Sequence, residues 1–315
     1  MSEGCSSSAK GIFEAEVCSN RQIGPGFHRL RLKFTQDGAR AFANFEPGQF
    51  AELDFSKTAL PSQDAVPQEL RDASGRKILL RRPFSFAEVT TEDDKTFAEL
   101  LYCVVGPATV RMTTLSAGDR IGVIGPLGRG FQIPNGKKTA LLVGGGMGTP
   151  PLQHLAQSLA ARDNGIDVIS LSGAKTAEAL PFEGRLDEIS QHLGFSVPEF
   201  AKYGIESMVA TDDGSAGYHG LVTDCLAEWL EKSDLSFNDI IICACGPEPM
   251  LASVAQIAAE KNIDCQVSME RRMACGIGLC QSCAVECKVA GSNETIYKMC
   301  CQDGPVFDAR EVVFS

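Results

Sequence analysis

The sequence predicts a multidomain protein of the β plus α/β class. We expect an N-terminal antiparallel β-barrel (10–135), a doubly wound parallel-sheet domain (136–264) and a small C-terminal cysteine-rich segment (265–315). Three patterns predict this: period-two alternation in the first part, alternating apolar strands and helices in the second, and clustered cysteines in the third. At 315 residues, 44% of them hydrophobic, the chain can bury two or three cores.

Charge and targeting patterns narrow the class of protein. The net charge of −11 argues against nucleic acid or an anionic membrane as the main partner. No stretch approaches the ~20 apolar residues of a membrane span. The first ten residues lack the apolar core of a signal peptide. Thirteen cysteines in a chain of this size then fit a reducing compartment, so we expect a cytoplasmic location.

The first part of the chain has the signature of short antiparallel strands. Leu30, Leu32 and Phe34 alternate with charged residues, which is typical of a half-buried strand. Glycine and proline turns at 24–26, 47–48, 118–119 and 125–126 separate such runs, which favours a barrel. Residues 56–77 are polar and show no period, so they predict a loop insertion, and 110–115 predict a helix.

The second part alternates between apolar strands and helices. We predict strands at 139–143, 167–171, 207–211, 240–244 and 263–268, and helices at 221–230 and 249–261. A further helix begins near Thr149, which is a candidate N-cap before Pro150, and carries an apolar stripe through residues 152–159. Such alternation predicts a parallel sheet covered by helices.

The cysteines near the C-terminus carry the most specific chemistry. Cys275, Cys280 and Cys283 have the C-x4-C-x2-C spacing of a plant-type [2Fe–2S] site. A fourth ligand must come from farther along, where Cys300 and Cys301 are candidates. Two alternatives stay open: a four-thiolate zinc site, although zinc usually pairs two short cysteine hairpins, and cysteines that only pack a core.

Four further patterns are candidates for nucleotide binding. A guanidinium beside a proline can hold a pyrophosphate, and glycine turns between a strand and a helix let the backbone approach one. A surface arginine pair, ordinary turns and a buried thiol remain alternatives on the residues alone. The residues are Arg82, Pro83, Phe84 and Ser85; Gly106 and Thr109; Gly144, Gly145, Gly146, Gly148 and Thr149; and Cys245, Gly246 and Pro247.

Together these motifs resemble the ferredoxin–NAD(P)⁺ reductase-like family, and within it the electron-transfer subunits of NAD-dependent (class 1B) dihydroorotate dehydrogenases. The resemblance covers about residues 10–315. Residues 82–85 match the flavin-binding R-x-[YF]-S element, 106–109 match the flavin-phosphate G-x-x-T turn, and 144–152 match the glycine turn GGG-x-G-x-PPL. Residues 211–223 are similar to a TDDGS stretch of the nicotinamide half, and Cys245 heads the C-G-P turn near the nicotinamide ring, a catalytic position.

The resemblance also bears on the fourth thiolate. Residues 301–307 match the family pattern C-x-D-G-P-V-F, which implies Cys301 as the ligand, with Cys300 as the alternative. Two features depart from the family: Tyr218-His219 stands where a basic residue is common, and the insertion at 56–77 is long. Neither affects the ligand set.

The resemblance implies FAD and a [2Fe–2S] cluster as cofactors and NAD(H) as co-substrate. It implies an FMN-containing dihydroorotate dehydrogenase catalytic subunit as partner, in a heterotetramer of two copies of each, serving UMP synthesis. Electrons would pass from FMN through the cluster to FAD and then, as hydride, to NAD⁺. NAD(H) is expected over NADP(H) because only Lys175 follows the strand at 167–171 and no arginine cluster awaits a 2′-phosphate. The alternatives are a reductase subunit of a hydrogenase or of a ferredoxin:NADP⁺ transhydrogenase, and a non-catalytic redox sensor.

Overall fold

Two large sheets and a short hairpin organise the chain. The computed structural model describes residues 10–314 apart from 77, 79, 163–164, 184–186 and 191–193, and only the backbone of 187–190 and 194–196. The first sheet contains seven antiparallel strands in the order β4-β3-β7-β1-β2-β6-β5. These are β1 Gly11–Gly24, β2 Phe27–Phe34, β3 Phe50–Asp54, β4 Arg81–Ser85, β5 Glu88–Glu92, β6 Lys95–Cys103 and β7 Arg120–Leu127.

The antiparallel sheet forms because one face of each strand is apolar. Leu30, Leu32 and Phe34 are fully buried, which confirms the alternation predicted for β2. They share a core with the short helices α1 Gln36–Phe42 and α3 Pro107–Met112, in which the rings of Phe34 and Phe42 stack with centroids 4.2 Å apart. Helix α3 begins three residues before the predicted start at 110, because Gly106 caps it and Pro107 fits its first turn.

The insertion at 56–77 is mostly irregular, as predicted. It contains 3-10 turns at Gln63–Ala65 and Gln68–Leu70 and the one-turn helix α2 Arg71–Ser74. Residue 77 lies outside the described residues. The insertion packs onto α3, since the guanidinium of Arg111 donates to the carbonyl of Ser74 at 2.8 Å.

The second sheet has a parallel centre, in the order β12-β9-β8-β14-β15. All five predicted strands form, and β9 runs three residues past its predicted end. The strands of this region are β8 Thr139–Gly145, β9 Asp167–Ala174, β10 Asp187–Ser190, β11 Gly194–Ser196, β12 Glu206–Thr211, β13 Tyr218–His219, β14 Ile240–Cys245 and β15 Asp264–Ser268. The helices are α4 Thr149–Ala160, α5 Pro198–Ala201, α6 Val222–Lys232 and α7 Glu248–Glu260. The antiparallel pair β10 and β11 was not predicted.

The predicted cap of α4 was wrong. Gly148 is the N-cap, and Thr149 is the first helical residue. A 3-10 turn, Gly146–Gly148, leads directly from β8 into the helix, so the Thr149 hydroxyl is buried and donates to the carbonyl of Gly146 at 2.9 Å. Thr149 therefore stabilises the turn rather than capping the helix.

The C-terminal segment folds back onto the second sheet. Strands β16 Ala284–Lys288 and β17 Thr295–Met299 form a hairpin, and β18 Val306–Asp308 pairs antiparallel with β15. The sheet therefore continues across the position 264/265 at which the sequence suggested a boundary. In the described part of the chain, no helix has the length and apolarity needed to cross a bilayer.

Polar contacts hold the two sheets in one arrangement. The buried guanidinium of Arg29 on β2 pairs with Glu99 at 3.0 Å and with Glu199 on α5 at 3.1 Å. The side-chain amide of Gln157 on α4 pairs with both backbone groups of Val89, at 3.0 and 2.9 Å, and so covers the edge strand β5. These contacts attach the first sheet to helices α4 and α5 of the second region.

A candidate cofactor cleft and cluster loop

A cleft of about 860 Å³ lies where the two sheets and the C-terminal segment meet. It is lined by residues of strand β4, of the turn before α3, of the turn after β14 and of the linker at 269–274. The sequence-predicted residues that it brings together are Arg82, Pro83, Phe84, Gly106, Thr109, Gly246 and Pro247. The cleft therefore joins motifs that lie as far apart as residues 82 and 247 in the chain.

Strand β4 presents its cofactor-binding candidates from the edge of the sheet. Pro83 lacks a backbone N–H, and an edge strand tolerates that loss. Phe84 packs edge-on against Phe55 with ring centroids 6.0 Å apart, which fixes the strand to the barrel core. Arg82 donates to the carbonyl of Arg81 at 2.7 Å. Ser85 ends the strand and is not among the residues that line the cleft.

The turn at Gly106 is shaped by the Thr109 hydroxyl. That oxygen accepts the N–H groups of Val105 and Gly106 at 2.9 and 3.0 Å and donates to the carbonyl of Gly106 at 3.1 Å. A Cβ at Gly106 would have no atom within 4 Å. The turn is thus held from within, and its glycine leaves open space.

The glycine turn after β8 combines close packing with one open position. A Cβ at Gly148 would lie 2.1 Å from the carbonyl oxygen of Cys245, and one at Gly145 would lie 2.6 Å from the sulfur of Met250. A Cβ at Gly144 would lie 3.1 Å from the hydroxyl oxygen of Thr149. Gly146 instead has φ +49° and no atom within 4 Å of its Cβ position. Gly146 is therefore the glycine at which a ligand can approach the backbone closely.

Cys245 ends β14 beside this turn, at the carboxyl edge where β8 and β14 neighbour each other. In doubly wound sheets this edge is where ligands bind. Burial raises the pKa of the Cys245 thiol to about 12, although a hydrogen bond with Ser268 opposes the shift. The thiol is therefore protonated near neutral pH, and a reactive thiolate is not what this position offers.

Contacts between backbone N–H groups and sulfur link the four predicted ligands, although no three metal-ligating side chains among the described residues are already gathered around one point. The N–H of Cys280 points to the sulfur of Cys275 at 3.4 Å, and the N–H of Cys301 points to the sulfur of Cys283 at 3.5 Å. The N–H of Gly278 donates to the sulfur of Cys301 at 3.1 Å. Backbone N–H groups that face sulfur are a property of iron–sulfur sites. The chemistry of this donor set fits a [2Fe–2S] cluster.

The adjacent Cys300 points elsewhere. Its thiol is fully buried and donates to the carbonyl of Met269 at 3.3 Å. Positive φ angles at Gly276 and Gly278, of 67° and 87°, let the loop curl between the first two cysteines. The loop is exposed at its tip, where Leu279 is 78% accessible.

The thiols differ in acidity. A hydrogen bond with the Ser282 hydroxyl, followed by one with the Ser282 backbone, lowers the pKa of Cys280 to about 6. This favours the thiolate that a metal requires. Burial, followed by the neighbouring Cys283, raises the pKa of Cys301 to about 12. Metal loading at Cys301 must therefore displace a proton.

The positions of two acidic features were not predicted from the sequence. The backbone N–H groups of Asp212 and Asp213 donate to the carbonyls of Ala174 and Lys175 at 3.1 and 3.2 Å, so these acids flank the end of β9. The resemblance singled out the TDDGS stretch, but its contact with the end of β9 was not predicted, because that contact joins two strands. Glu52 on β3 is buried beside the cysteine loop. The sequence feature that could have revealed it is a single acidic residue on the same strand face as Phe50.

Comparison with known proteins assigns two regions of the chain to known domains. Residues 270–313 match the iron–sulfur cluster binding domain of dihydroorotate dehydrogenase B, and residues 142–256 match the oxidoreductase NAD-binding domain. The chain is 39% identical over 300 residues to the dihydroorotate dehydrogenase B (NAD(+)) electron transfer subunit of Geobacillus thermodenitrificans, covering 94% of this chain and 96% of the relative. The chain belongs to this family of electron transfer subunits. The Fusobacterium nucleatum member is 38% identical over 308 residues, covering 96% of this chain and 98% of the relative.

Solved structures share the fold. A chain of an NADH-dependent reduced ferredoxin-NADP oxidoreductase, described in connection with flavin-based electron bifurcation, matches with a TM-score of 0.70 and 26% identity, over 95% of this chain and 90% of that one. The ferredoxin reductase of carbazole 1,9a-dioxygenase matches with a TM-score of 0.57 and 19% identity, over 81% and 67% of the two chains. The predicted fold class, the family, the oxidoreductase activity and the iron–sulfur and NAD-binding regions are confirmed. As an electron transfer subunit, the chain works with a catalytic partner.

Proposed function

We propose that this chain accepts electrons from an FMN-containing catalytic subunit that oxidises dihydroorotate and delivers them to NAD⁺ in UMP synthesis. The observation that carries the proposal is the single cleft that joins strand β4, the turn after β14 and the linker to the cysteine loop. A bound flavin would supply exchange of single electrons on one side and of a hydride on the other. We place the assembly in the cytoplasm as a heterotetramer of two copies of each subunit.

The contacts in the cleft and at the sheet edge support the proposed cofactor assignments. FAD would lie in the cleft, with Arg82 at its pyrophosphate, Pro83 and Phe84 along the isoalloxazine and the Gly106 turn at its phosphates. Ser85, which the R-x-[YF]-S element also assigns to the flavin, ends the same strand just outside the lining of the cleft. NAD(H) would lie along the carboxyl edge of the second sheet, with Gly146 at its pyrophosphate and Cys245, Gly246 and Pro247 near the nicotinamide. In this proposal residues 10–135 form the FAD-binding domain, 136–264 the NAD-binding domain and 265–315 the cluster-binding segment.

The [2Fe–2S] cluster would be held by Cys275, Cys280, Cys283 and Cys301. The direction of the Cys300 thiol, toward the carbonyl of Met269, supports Cys301 over its neighbour. Replacing Cys301 with serine should remove most of the iron. Cys300→Ser is the matched control, because serine can keep the hydrogen bond to Met269, and it should retain iron. The opposite pattern would move the ligand by one residue.

The overall function is tested by reconstitution. The anaerobically purified protein should contain flavin, iron and sulfide, and should support dihydroorotate-dependent reduction of NAD⁺ only when the FMN subunit is added. Steady oxidation of NADH with an artificial acceptor would argue against a redox sensor. Protein without flavin or iron, or without coupling to the FMN subunit, would refute the proposal.

A second candidate is a reductase subunit that serves a ferredoxin:NADP⁺ transhydrogenase or a hydrogenase. The similarity to a reduced ferredoxin-NADP oxidoreductase chain favours it, at a TM-score of 0.70. Reduced ferredoxin would then reduce the purified protein quickly, whereas the FMN subunit and dihydroorotate would not.

A further inference from the structure

The most anomalous polar group of the described chain is the Glu52 carboxylate. Glu52 is only 1% exposed, and neither carboxylate oxygen has a hydrogen-bond partner among the described residues. Burial of an unpaired carboxylate is costly, and such groups usually mark a functional demand. Burial raises the pKa of Glu52 to about 7, against the opposing charges of Arg81 and Arg82. Stability alone does not explain an acid at this place.

Glu52 lies directly against the cysteine loop. A Cβ at Gly276 would lie 2.5 Å from the carboxylate oxygen Oε1 and 2.7 Å from Cγ of Glu52. Gly276 also has φ +67°, so only glycine satisfies both the conformation and the space. Gly276 follows Cys275 in the chain, so the carboxylate lies beneath the part of the loop that carries the first cysteine.

Glu52 also neighbours the strand assigned to the flavin. It pairs with Pro83 across the antiparallel ladder between β3 and β4. Arg81 lies on the same face two positions along that ladder, and its Nε has no hydrogen-bond partner among the described residues. One buried acid therefore stands between the strand that lines the cleft and the loop that carries the cysteines.

We propose that Glu52 is a positioning residue whose carboxylate supports the loop at Gly276 and holds down the reduction potential of the cluster bound there. This inference rests on the proposed cluster site. A negative charge in a region of low dielectric opposes the arrival of an electron nearby, and net charge is one of the factors that set iron–sulfur potentials. The carboxylate thereby favours onward transfer of the electron toward the cleft.

The test is a redox titration of the reconstituted protein, followed by the EPR signal of the reduced cluster at pH 8.5, where Glu52 is mostly ionised. Glu52→Gln keeps the shape and removes the charge. At the midpoint potential of the wild-type protein, the ratio of reduced to oxidised cluster should be about tenfold higher in Glu52→Gln. This corresponds to a rise of about 59 mV in the midpoint potential of a one-electron couple. Asp54→Asn is the matched control: Asp54 lies on the same strand face and, among the described residues, its side chain accepts only the N–H of Ser56, at 2.9 Å. It should change the ratio less than twofold.

The outcomes separate this inference from the proposed function. Absence of a cluster signal in the wild-type protein would overturn the cluster site itself. A normal wild-type signal with an unchanged midpoint in Glu52→Gln would overturn only the role of Glu52. An equal shift in Asp54→Asn would also overturn it, because the effect would then not be specific to the loop. Loss of iron from Glu52→Gln would count against it too, since glutamine keeps the shape that supports the loop and only the charge is removed.

Discussion

The glycine turn after β8 allows packing and ligand binding to be separated by two substitutions. In Gly148→Ala the new methyl would lie 2.1 Å from the carbonyl oxygen of Cys245 and 2.6 Å from the backbone nitrogen of Gly246. Gly148 has φ −75°, so alanine fits the backbone conformation and the cost is steric alone. Both contacts are backbone atoms, which cannot rotate away, so the cost should reach the upper end of the ~1–3 kcal/mol range for overpacking.

A loss of about 3 kcal/mol lowers the melting temperature by about 6–12 °C, at about 2–4 °C per kcal/mol. Gly146→Ala is the matched comparison, because its methyl would meet no atom within 4 Å. Its φ of +49° should cost only about 1–2 kcal/mol. It should raise the KM for NADH, since the methyl occupies the open side of the turn.

The assays are thermal unfolding of the cofactor-loaded protein and NADH oxidation with an artificial acceptor. Gly148→Ala should lose mainly stability, and Gly146→Ala should lose mainly NADH affinity. A melting temperature for Gly148→Ala within 2 °C of wild type, measured beside its Gly146 counterpart, would refute the packing argument. An unchanged KM in Gly146→Ala would refute the assignment of that turn to the nucleotide.

Three further outcomes are expected. Arg82→Ala should release flavin during gel filtration, whereas Arg40→Ala, which removes an exposed side chain of α1, should retain it. Equal retention would remove Arg82 from the FAD site. The kcat/KM for NADH should be at least ten times that for NADPH, because Asp212 and Asp213 flank the end of β9, where an acid favours a ribose hydroxyl over a 2′-phosphate. Asp212→Asn should lower this NADH-to-NADPH ratio. Burial lowers the pKa of His154 from 6.5 to about 4, so the unfolded chain takes up its proton first as pH falls. Stability should therefore drop by about 2 kcal/mol between pH 7 and 5 in urea unfolding, and His154→Leu should lack this drop.

Local patterns predicted the elements well where burial repeats along one segment. The strands at 139–143 and 240–244 are fully buried runs, and their identity follows from composition alone. The start of α3 and the role of Thr149 were missed because both depend on how a turn enters a helix. The antiparallel pair of β10 and β11 was missed because strands of four and three residues are too short to show a period.

The candidate site was predictable in its motifs and not in its neighbours. The spacing of Cys275, Cys280 and Cys283 predicts a cluster without knowledge of the fold, because these three ligands lie in one contiguous loop. Glu52 and Asp212 lie beside parts of the candidate site that other segments of the chain form. Their positions follow from the pairing of β3 with β4 and from the contact of residue 212 with the end of β9. Sequence spacing contains no information about either approach.

The chain that follows the cysteine loop explains how the three regions keep one geometry. The N–H of Arg129, just after the barrel, donates to the carbonyl of Gly304, and the N–H of Met269 donates to the carbonyl of Pro305. A Cβ at Gly128 would lie 2.7 Å from that Gly304 oxygen, so the barrel and the segment touch backbone to backbone. With β18 also paired to β15, the loop is attached to both sheets and cannot swing independently of the cleft. Electron transfer between the loop and the cleft should therefore need no domain motion. The rate of transfer should instead depend on docking of the catalytic subunit.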